Sequence, residues 1–324
     1  MKRHGPSKFR SKSAAPAAPR SGKSAPPAFK PQSHGRGPRG ATAPTTAPTN
    51  SPNTAKGAPS NARKNTKSLA AQGFAPQNKR ERLVIGLHSV REALKVRPHA
   101  ILRLGLRDDY QRAHQLKELA ELAEYSSITV QNLSASTLDD LGSGHQGAAA
   151  IVTELPQWNL DEVAQLKRAM IIACDNLEDP HNLGSILRSA WLLDAKAVFV
   201  PADRSVELTS TVAKVASGGA EHVPVEVVDN LPRALEELKA KGFWVFGLAE
   251  SGTRFAWDFE LPEKIVWVIG SESSGLRITV ERVCDELVRL PQVPGGSSFN
   301  AAIAGSMAMY ESARQAGKSG PGKL

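Results

Sequence analysis

Cysteine is nearly absent, with Cys174 and Cys284 the only two in 324 residues. That is too few for a disulfide framework or a Cys-based zinc site, and a reducing compartment is the simplest setting. Long apolar runs are missing as well: the longest are short strand-like pieces such as Ala169 to Cys174, far below the roughly 20 residues that span a bilayer. The basic beginning runs into SKSAAPAAPR instead of the apolar core of a signal peptide, so neither secretion nor a membrane is expected and the protein is expected in the cytoplasm. The eight histidines form no H-E-x-x-H and no G-x-S-x-G elbow occurs, which leaves metal and serine-hydrolase chemistry without support.

Negative charge is missing from residues 1–80, which carry 16 of the 41 Lys and Arg and 12 of the 22 Pro but neither Asp nor Glu. The other residues hold 25 basic and 32 acidic side chains, so the net charge of +9 belongs to the beginning of the chain. Phe9, Phe29 and Phe74 are the only aromatics there. Such a stretch buries too little apolar surface to offset its ordering entropy and reads as a disordered basic arm over 1–80. Its charge favours a polyanion over a plain solubilising linker, and contacts of this kind read phosphates rather than bases.

Residues 81–324 have room for about two domains. From Arg82, RLVIGLHSVREAL reads as a strand, a Gly turn and a helix whose first turn Ser89 can cap. A strand over Ile101 to Leu106, a helix through Ala113, Leu116, Leu119, Ala120 and Ala123, a strand at 128–130, and AAAIVT at 148–153 closing the sheet make a small α/β domain over 81–155. A connector over 156–166 passes through PQWNLDEVAQ.

Residues 167–315 alternate more strongly. The strands AMIIAC, AVFV, VPVEVV, FWVFGLAE and IVWVIG are separated by helices expected from about Gly184 to Leu193, Thr211 to Val215 and Pro232 to Lys239. Further helices are expected near Val280 to Leu287 and from Asn300 to Ala313, with a tail over 316–324. Continuous Val/Ile-rich strands between helices indicate an α/β fold around a buried, mainly parallel sheet.

Two glycine motifs fail on context. Gly142, Gly144 and Gly147 in GSGHQG have dinucleotide-fingerprint spacing, but they precede a strand where the fingerprint must follow one and open a helix. Gly270 and Gly275 in GSESSGLR have P-loop spacing, but Leu276 and Arg277 stand where Lys and Ser/Thr are needed.

Three polar clusters remain, each just after a buried strand, where open α/β sheets bind ligands. DNLEDPHNLGSILRSA places Asn182 as a helix cap ahead of Arg188. VIGSESSGL places Glu272 between glycines that permit tight turning. LPQVPGGSSFNAAIAGSMAMYE runs from a strand end through a Pro/Gly loop into Ser298, Asn300 and a small-residue helix. Singly, each also reads as an ordinary cap or polar loop.

Together, in this order and spacing, the clusters resemble the three motifs of the SpoU (TrmH-type) ribose 2′-O-methyltransferases of the SPOUT class, over about 165–315. SVELTSTVAKVASGGAEHVPV is similar to the same family. GLHSVREAL and HQGAAAIV resemble the small ribosomal-protein-like RNA-binding domain that often precedes the catalytic domain. The resemblance implies a trefoil knot binding S-adenosylmethionine against the backbone of Gly270, Leu290 and Phe299. It also implies a polar site of Asn182, Arg188, Glu272, Ser298 and Asn300, a structured tRNA or rRNA substrate, and a homodimer. Pro294, Gln292, Phe299, Ala302 and Ser273 depart from the family's usual residues, with Gly295 and Gly296 placed to restore the turn.

The residue types suit the chemistry. A ribose hydroxyl must be oriented and its developing negative charge stabilised. A guanidinium is too weak an acid to give up its proton to water, so Arg188 serves as a cation gripping the forming alkoxide and a phosphate, not as a base. The rival readings are a non-catalytic RNA-binding or ribosome-assembly factor that keeps the knot, and base methylation, for which no dedicated base is visible.

Overall fold

The computed structural model describes residues 73–78, 80–153, 155–203, 208–293 and 298–318. The basic stretch 1–72 therefore lies outside the described residues, as does the Pro294, Gly295 and Gly296 turn. Phe74, assigned to the arm by composition, is 1% exposed and packs with Ile85, Leu133, Leu138 and Ile151. Packed structure thus begins before residue 80, because one aromatic ring finds an apolar pocket despite its polar neighbours.

Strand β1 (Arg82–Ile85) turns at Gly86, φ 103, into helix α1 (Leu87–Val96). The left-handed backbone there suits a residue without Cβ. Helix α1 starts at Leu87 without a side-chain cap. Ser89 lies inside it, buried, and its hydroxyl donates to the Ala213 carbonyl at 3.1 Å. The expected cap is instead a tertiary tie, since Gly86 had already set the start of the helix.

Strand β2 (Ile101–Arg107), helix α2 (His114–Tyr125), strand β3 (Val130–Leu133), helix α3 (Ala135–Leu141) and strand β4 (Ala148–Val152) come next. They form a sheet of order β1-β4-β2-β3, with β4 antiparallel to both neighbours and β2 parallel to β3. The AAAIV strand is thus central, not a closing edge. Its alternation explains why: Ala148, Ala150 and Val152 face the α1 and α2 core, while Ala149 and Ile151 face Phe74 and α3. Small residues allow layers on both sides. Gly142, Gly144 and Gly147 form the turn between α3 and β4, and β3 starts two residues later than the pattern at 128–130 suggests.

The stretch read as a connector contains helix α4 (Leu160–Gln165), capped by Asn159. Beyond it come β5 (Ala169–Cys174), α5 (Pro180–Leu192), β6 (Ala195–Pro201), α6 (Ser210–Ala216), α7 (Gly219–His222), β7 (Val225–Val228) and α8 (Leu231–Ala240). Strands β8 (Trp244–Leu248), β9 (Arg254–Phe255) and β10 (Lys264–Ile269), helix α9 (Ile278–Glu281), strand β11 (Glu286–Arg289) and helix α10 (Ala301–Lys318) complete the order.

The strands form a seven-stranded sheet ordered β7-β6-β5-β10-β8-β11-β9, with every pairing parallel. Both faces are buried: Met170, Ile172 and Cys174 face one apolar layer, Ala169, Ile171 and Ala173 the other. The helix expected from Val280 to Leu287 is a single short turn followed by a strand. Leu287 pairs with Gly247, and Asp285 accepts a hydrogen bond from the Val245 amide at 2.8 Å, so pairing with β8 overrides local helical preference. Helix α10 runs three residues into the expected tail.

Residues from the small sheet and from the large sheet's helices meet in a polar seam. Glu221 on α7 is 1% exposed and is held by Arg82 and Arg97. His222 contacts Glu92 at 2.9 Å and stacks on Trp191 of α5 at 4.2 Å. Lys214 donates to the Ser143 carbonyl at 2.8 Å.

Candidate active site

The site grows from the carboxyl ends of β5 and β10, neighbours in the middle of the sheet. Asp175 directly follows β5 and is fully buried. It accepts from the Arg277 backbone amide at 2.7 Å and from the Arg277 guanidinium at 2.6 Å. This pair ties the loop after β5 to the loop after β10. Sequence reasoning missed it, although an acid at the carboxyl end of a buried strand is itself a signal.

Helix α5 is capped by Asp179, which accepts from the His181 amide at 2.8 Å, with Pro180 in the first turn. That amide hydrogen bond, partly opposed by desolvation and reinforced by the His181 side chain, holds the Asp179 carboxyl below its usual range. Asn182 is therefore not the cap. With Asp179 serving the helix end, Asn182 turns inward, 5% exposed.

Asn182 is the centre of a junction. Its amide nitrogen donates to Glu272, and its oxygen accepts from the Asn300 amide at 2.8 Å. Asn300 uses its own oxygen to accept from the Ala302 and Ile303 amides at 3.0 and 3.3 Å, capping α10. The same Glu272 oxygen also accepts from the Asn300 side chain at 3.3 Å and the Ala301 amide at 3.4 Å. A carboxylate facing the first turn of α10 is favoured by the helix dipole. One residue from each polar cluster thus meets at a single point.

Beside the junction lies a cleft of about 460 Å³ lined by Gly270, Glu272, Leu290, Ser298 and Phe299, among others. Its wall is the 270–276 loop, closed by paired backbone hydrogen bonds between Ser271 and Gly275 at 3.0 and 3.2 Å. A Cβ on Gly270 would stand 2.3 Å from the Gly275 carbonyl carbon, so the loop closes only over a glycine. Gly275 takes φ +65, which favours glycine for a different reason. A second hollow of about 790 Å³ holds Asn182 and Asn300 with Trp257, Ile303, Met307 and Tyr310, and Leu290 lines both.

Arg188 stands apart. It is exposed on α5, lines neither hollow, and its side chain makes no hydrogen bond or ion pair with the described residues. Three of the five expected polar residues are therefore hydrogen-bonded together, Ser298 lies on the cleft, and Arg188 faces solvent. Burial, together with the neighbouring Asp175 and Asp285 charges, pushes the Cys174 and Cys284 thiols up to about 12. Neither is a nucleophile at neutral pH.

The cleft has the size of a small-molecule site. It combines apolar Leu248, Ile269, Leu290 and Phe299, the 270–276 backbone, and the carboxylates of Glu250, Glu272 and Glu281 against the single guanidinium of Arg289. Such a lining suits a ligand with a flat apolar part and a positive centre.

Residues 169–310 match the profile of the SpoU rRNA Methylase family, and residues 83–158 match that described as RNA 2'-O ribose methyltransferase substrate binding. A Staphylococcus epidermidis protein described as a TrmH family tRNA/rRNA methyltransferase is 38% identical over 235 residues, covering 71% of this chain and 94% of the relative. A Staphylococcus saprophyticus protein described in the same way is 39% identical over 239 residues, with the same coverage. Among solved structures, the SpoU methyltransferase AviRb from Streptomyces viridochromogenes, in complex with AdoMet, aligns with a TM-score of 0.64 at 23% identity, covering 76% of this chain and 96% of that one. An AdoMet-bound rRNA methyltransferase from Sinorhizobium meliloti aligns with a TM-score of 0.61 at 21% identity, covering 72% and 87%. At those identities the likeness is one of fold.

Proposed function

The chain belongs to the SpoU, or TrmH-type, family of RNA methyltransferases, and on that premise we propose that it methylates a ribose 2′-hydroxyl of structured tRNA or rRNA, using S-adenosylmethionine. The observation that carries this reading is the Asn182–Glu272–Asn300 junction, which reaches the cleft through Glu272. It joins residues from all three polar clusters beside a hollow suited to the cofactor.

Gly270, Leu290 and Phe299 hold the cofactor, and Ser298 borders it. When bound, S-adenosylmethionine supplies an electrophilic methyl group. The chain's own residues do the positioning: Asn182 and Asn300 fix the first turns of α5 and α10, and Glu272 anchors both to the cofactor loop. An oriented hydroxyl beside the methyl donor loses much of its entropic barrier. Arg188, permanently cationic, stabilises the oxygen as its proton leaves to phosphate or water.

Because Arg188 lines neither hollow of its own chain, it acts in a homodimer, reaching the site of the other copy. The exposed Leu192 on α5 and Ile303, Met307 and Tyr310 on α10 supply an apolar face for such pairing. The same reading makes the stretch from β11 to α10 a trefoil knot, a rare exception to ordinary chain threading. In support, β11 lies two strands beyond β10, yet α10 returns to pack on β10 and α5. Residues 81–155 receive the RNA, 167–315 carry the chemistry, and 1–80 add phosphate contacts.

The test is transfer of labelled methyl from S-adenosylmethionine into tRNA and rRNA by the intact chain and by Arg188→Ala. Label at alkali-resistant linkages that disappears in the variant is the expected result. Binding of cofactor and RNA without transfer would instead favour the non-catalytic RNA-binding reading.

A further inference from the structure

Aromatic residues are few in this chain, yet several gather where the two hollows adjoin. The edge strand β9 pairs Arg254 with Val288 and Phe255 with Arg289. The Arg289 guanidinium lies over the Phe255 ring at 4.6 Å, and Trp257 stacks on that ring at 4.9 Å with an interplanar angle of 15°. Arg254 lies over Phe259 at 3.6 Å and is tied to the Asp258 carbonyl at 2.7 Å. Trp257 remains 47% exposed, and both arginines are exposed without a carboxylate partner among the described residues. Arg289 lines the cleft beside Leu290, while Trp257 lines the hollow that holds Asn182 and Asn300.

We propose that Phe255, Trp257 and Arg289, with Arg254 beside them, form a platform on which an unpaired base of the RNA substrate stacks while its ribose sits at the junction. The proposal rests on the reading of the chain as an RNA methyltransferase and adds to it where the base goes. Rings already stacked on one another lose little freedom when a base joins them, and every base has a face to offer. Two guanidiniums without a carboxylate partner among the described residues, beside the rings, suit the flanking phosphates. An apolar protein partner would have to strip water from both cations without neutralising them, which is costly. The ribose links base to phosphate, so a stacking surface, cationic groups and polar junction in adjoining hollows match the parts of one nucleotide.

The experiment uses the full chain and two probes: a single-stranded oligoadenylate of about twelve nucleotides, within the usual single-strand site size, and an abasic ribose-phosphate chain of equal length. Comparing them cancels backbone contacts, including those of the basic arm. The native chain should prefer the base-bearing probe, and Trp257→Ala should reduce that preference by about tenfold or more. Trp257→Phe should keep most of it, and S-adenosylmethionine affinity should not change in either variant.

Equal weakening for both probes, or an unchanged preference accompanied by loss of dimer mass in sedimentation, would overturn the platform and make Trp257 a subunit contact. Binding is read without methyl transfer. A base preference that depends on Trp257 in a chain that transfers no methyl would keep the platform and refute the activity; active enzyme with no such dependence would do the reverse.

Discussion

Arg82 on β1 grips Glu221 on α7 through both terminal guanidinium nitrogens, at 2.8 and 2.9 Å, across 139 residues of chain. Arg97 reaches the same carboxylate. Glu221→Gln removes the buried charge that both largely buried guanidiniums hold. The expected loss is about 3–5 kcal/mol of folding stability, the usual consequence of removing one partner of a buried ion pair. Urea unfolding checks it, and a loss below about 1 kcal/mol would place the seam among solvated surface pairs.

The neighbouring Glu92 predicts a pH dependence. Burial pushes its carboxyl up, but hydrogen bonds from His222 and Lys95 outweigh that and leave it below the ordinary value. A depressed carboxylate stabilises the fold above its unfolded pKa, and the contribution disappears as pH falls through the folded value. The stability difference between the native chain and Glu92→Gln should therefore be present at neutral pH and shrink below about pH 4. A difference independent of pH would rule out the carboxylate charge as its source.

Asp175→Asn keeps the shape of the buried carboxylate but removes its charge from the Arg277 pair. Hydrogen bonds to charged groups are worth about 1.5–3 kcal/mol, so folding stability should fall by a comparable amount. Because Arg277 borders the 270–276 loop, S-adenosylmethionine binding should weaken by about tenfold, a factor equivalent to about 1.4 kcal/mol. Calorimetric titration separates the two effects: lower stability with native affinity would mean that the pair does not hold the cofactor loop.

Gly270→Ala tests the loop more sharply. The added methyl has no room against the Gly275 carbonyl and the Leu276 amide, and the nearby atoms are backbone, which cannot swing aside. The loop must open, so cofactor affinity should fall by at least about tenfold, while the small sheet, on other elements, keeps its structure. Native affinity in this variant would show that the cofactor does not depend on the closed loop.

Much of this architecture is legible in sequence. Continuous runs such as AMIIAC and IVWVIG suit strands buried on both faces, and the first two polar clusters come directly after them, so the meeting of those two can be anticipated. The family resemblance adds the pairing of Asn182 with Glu272 and Asn300 as one site. What escapes are features decided by distant partners. Ser89 and Asn182 have the chemistry of caps, but Gly86 and Asp179 begin their helices and free both side chains for contacts across the fold. Leu287 sits in helix-compatible sequence and becomes a strand through β8. Glu221 resembles any surface acid until Arg82 and Arg97 are brought to it.

Asn300 serves two structures at once, capping α10 with its oxygen and joining Asn182 with its nitrogen. It is also synthesised more than a hundred residues after Asn182 and well after Glu272. A nascent chain that has exposed the whole sheet but still holds Asn300 in the ribosomal tunnel thus has no junction. On the function proposed above, methyl transfer in the growing polypeptide waits for α10, and a product ending short of residue 300 lacks the junction however well its earlier strands have folded.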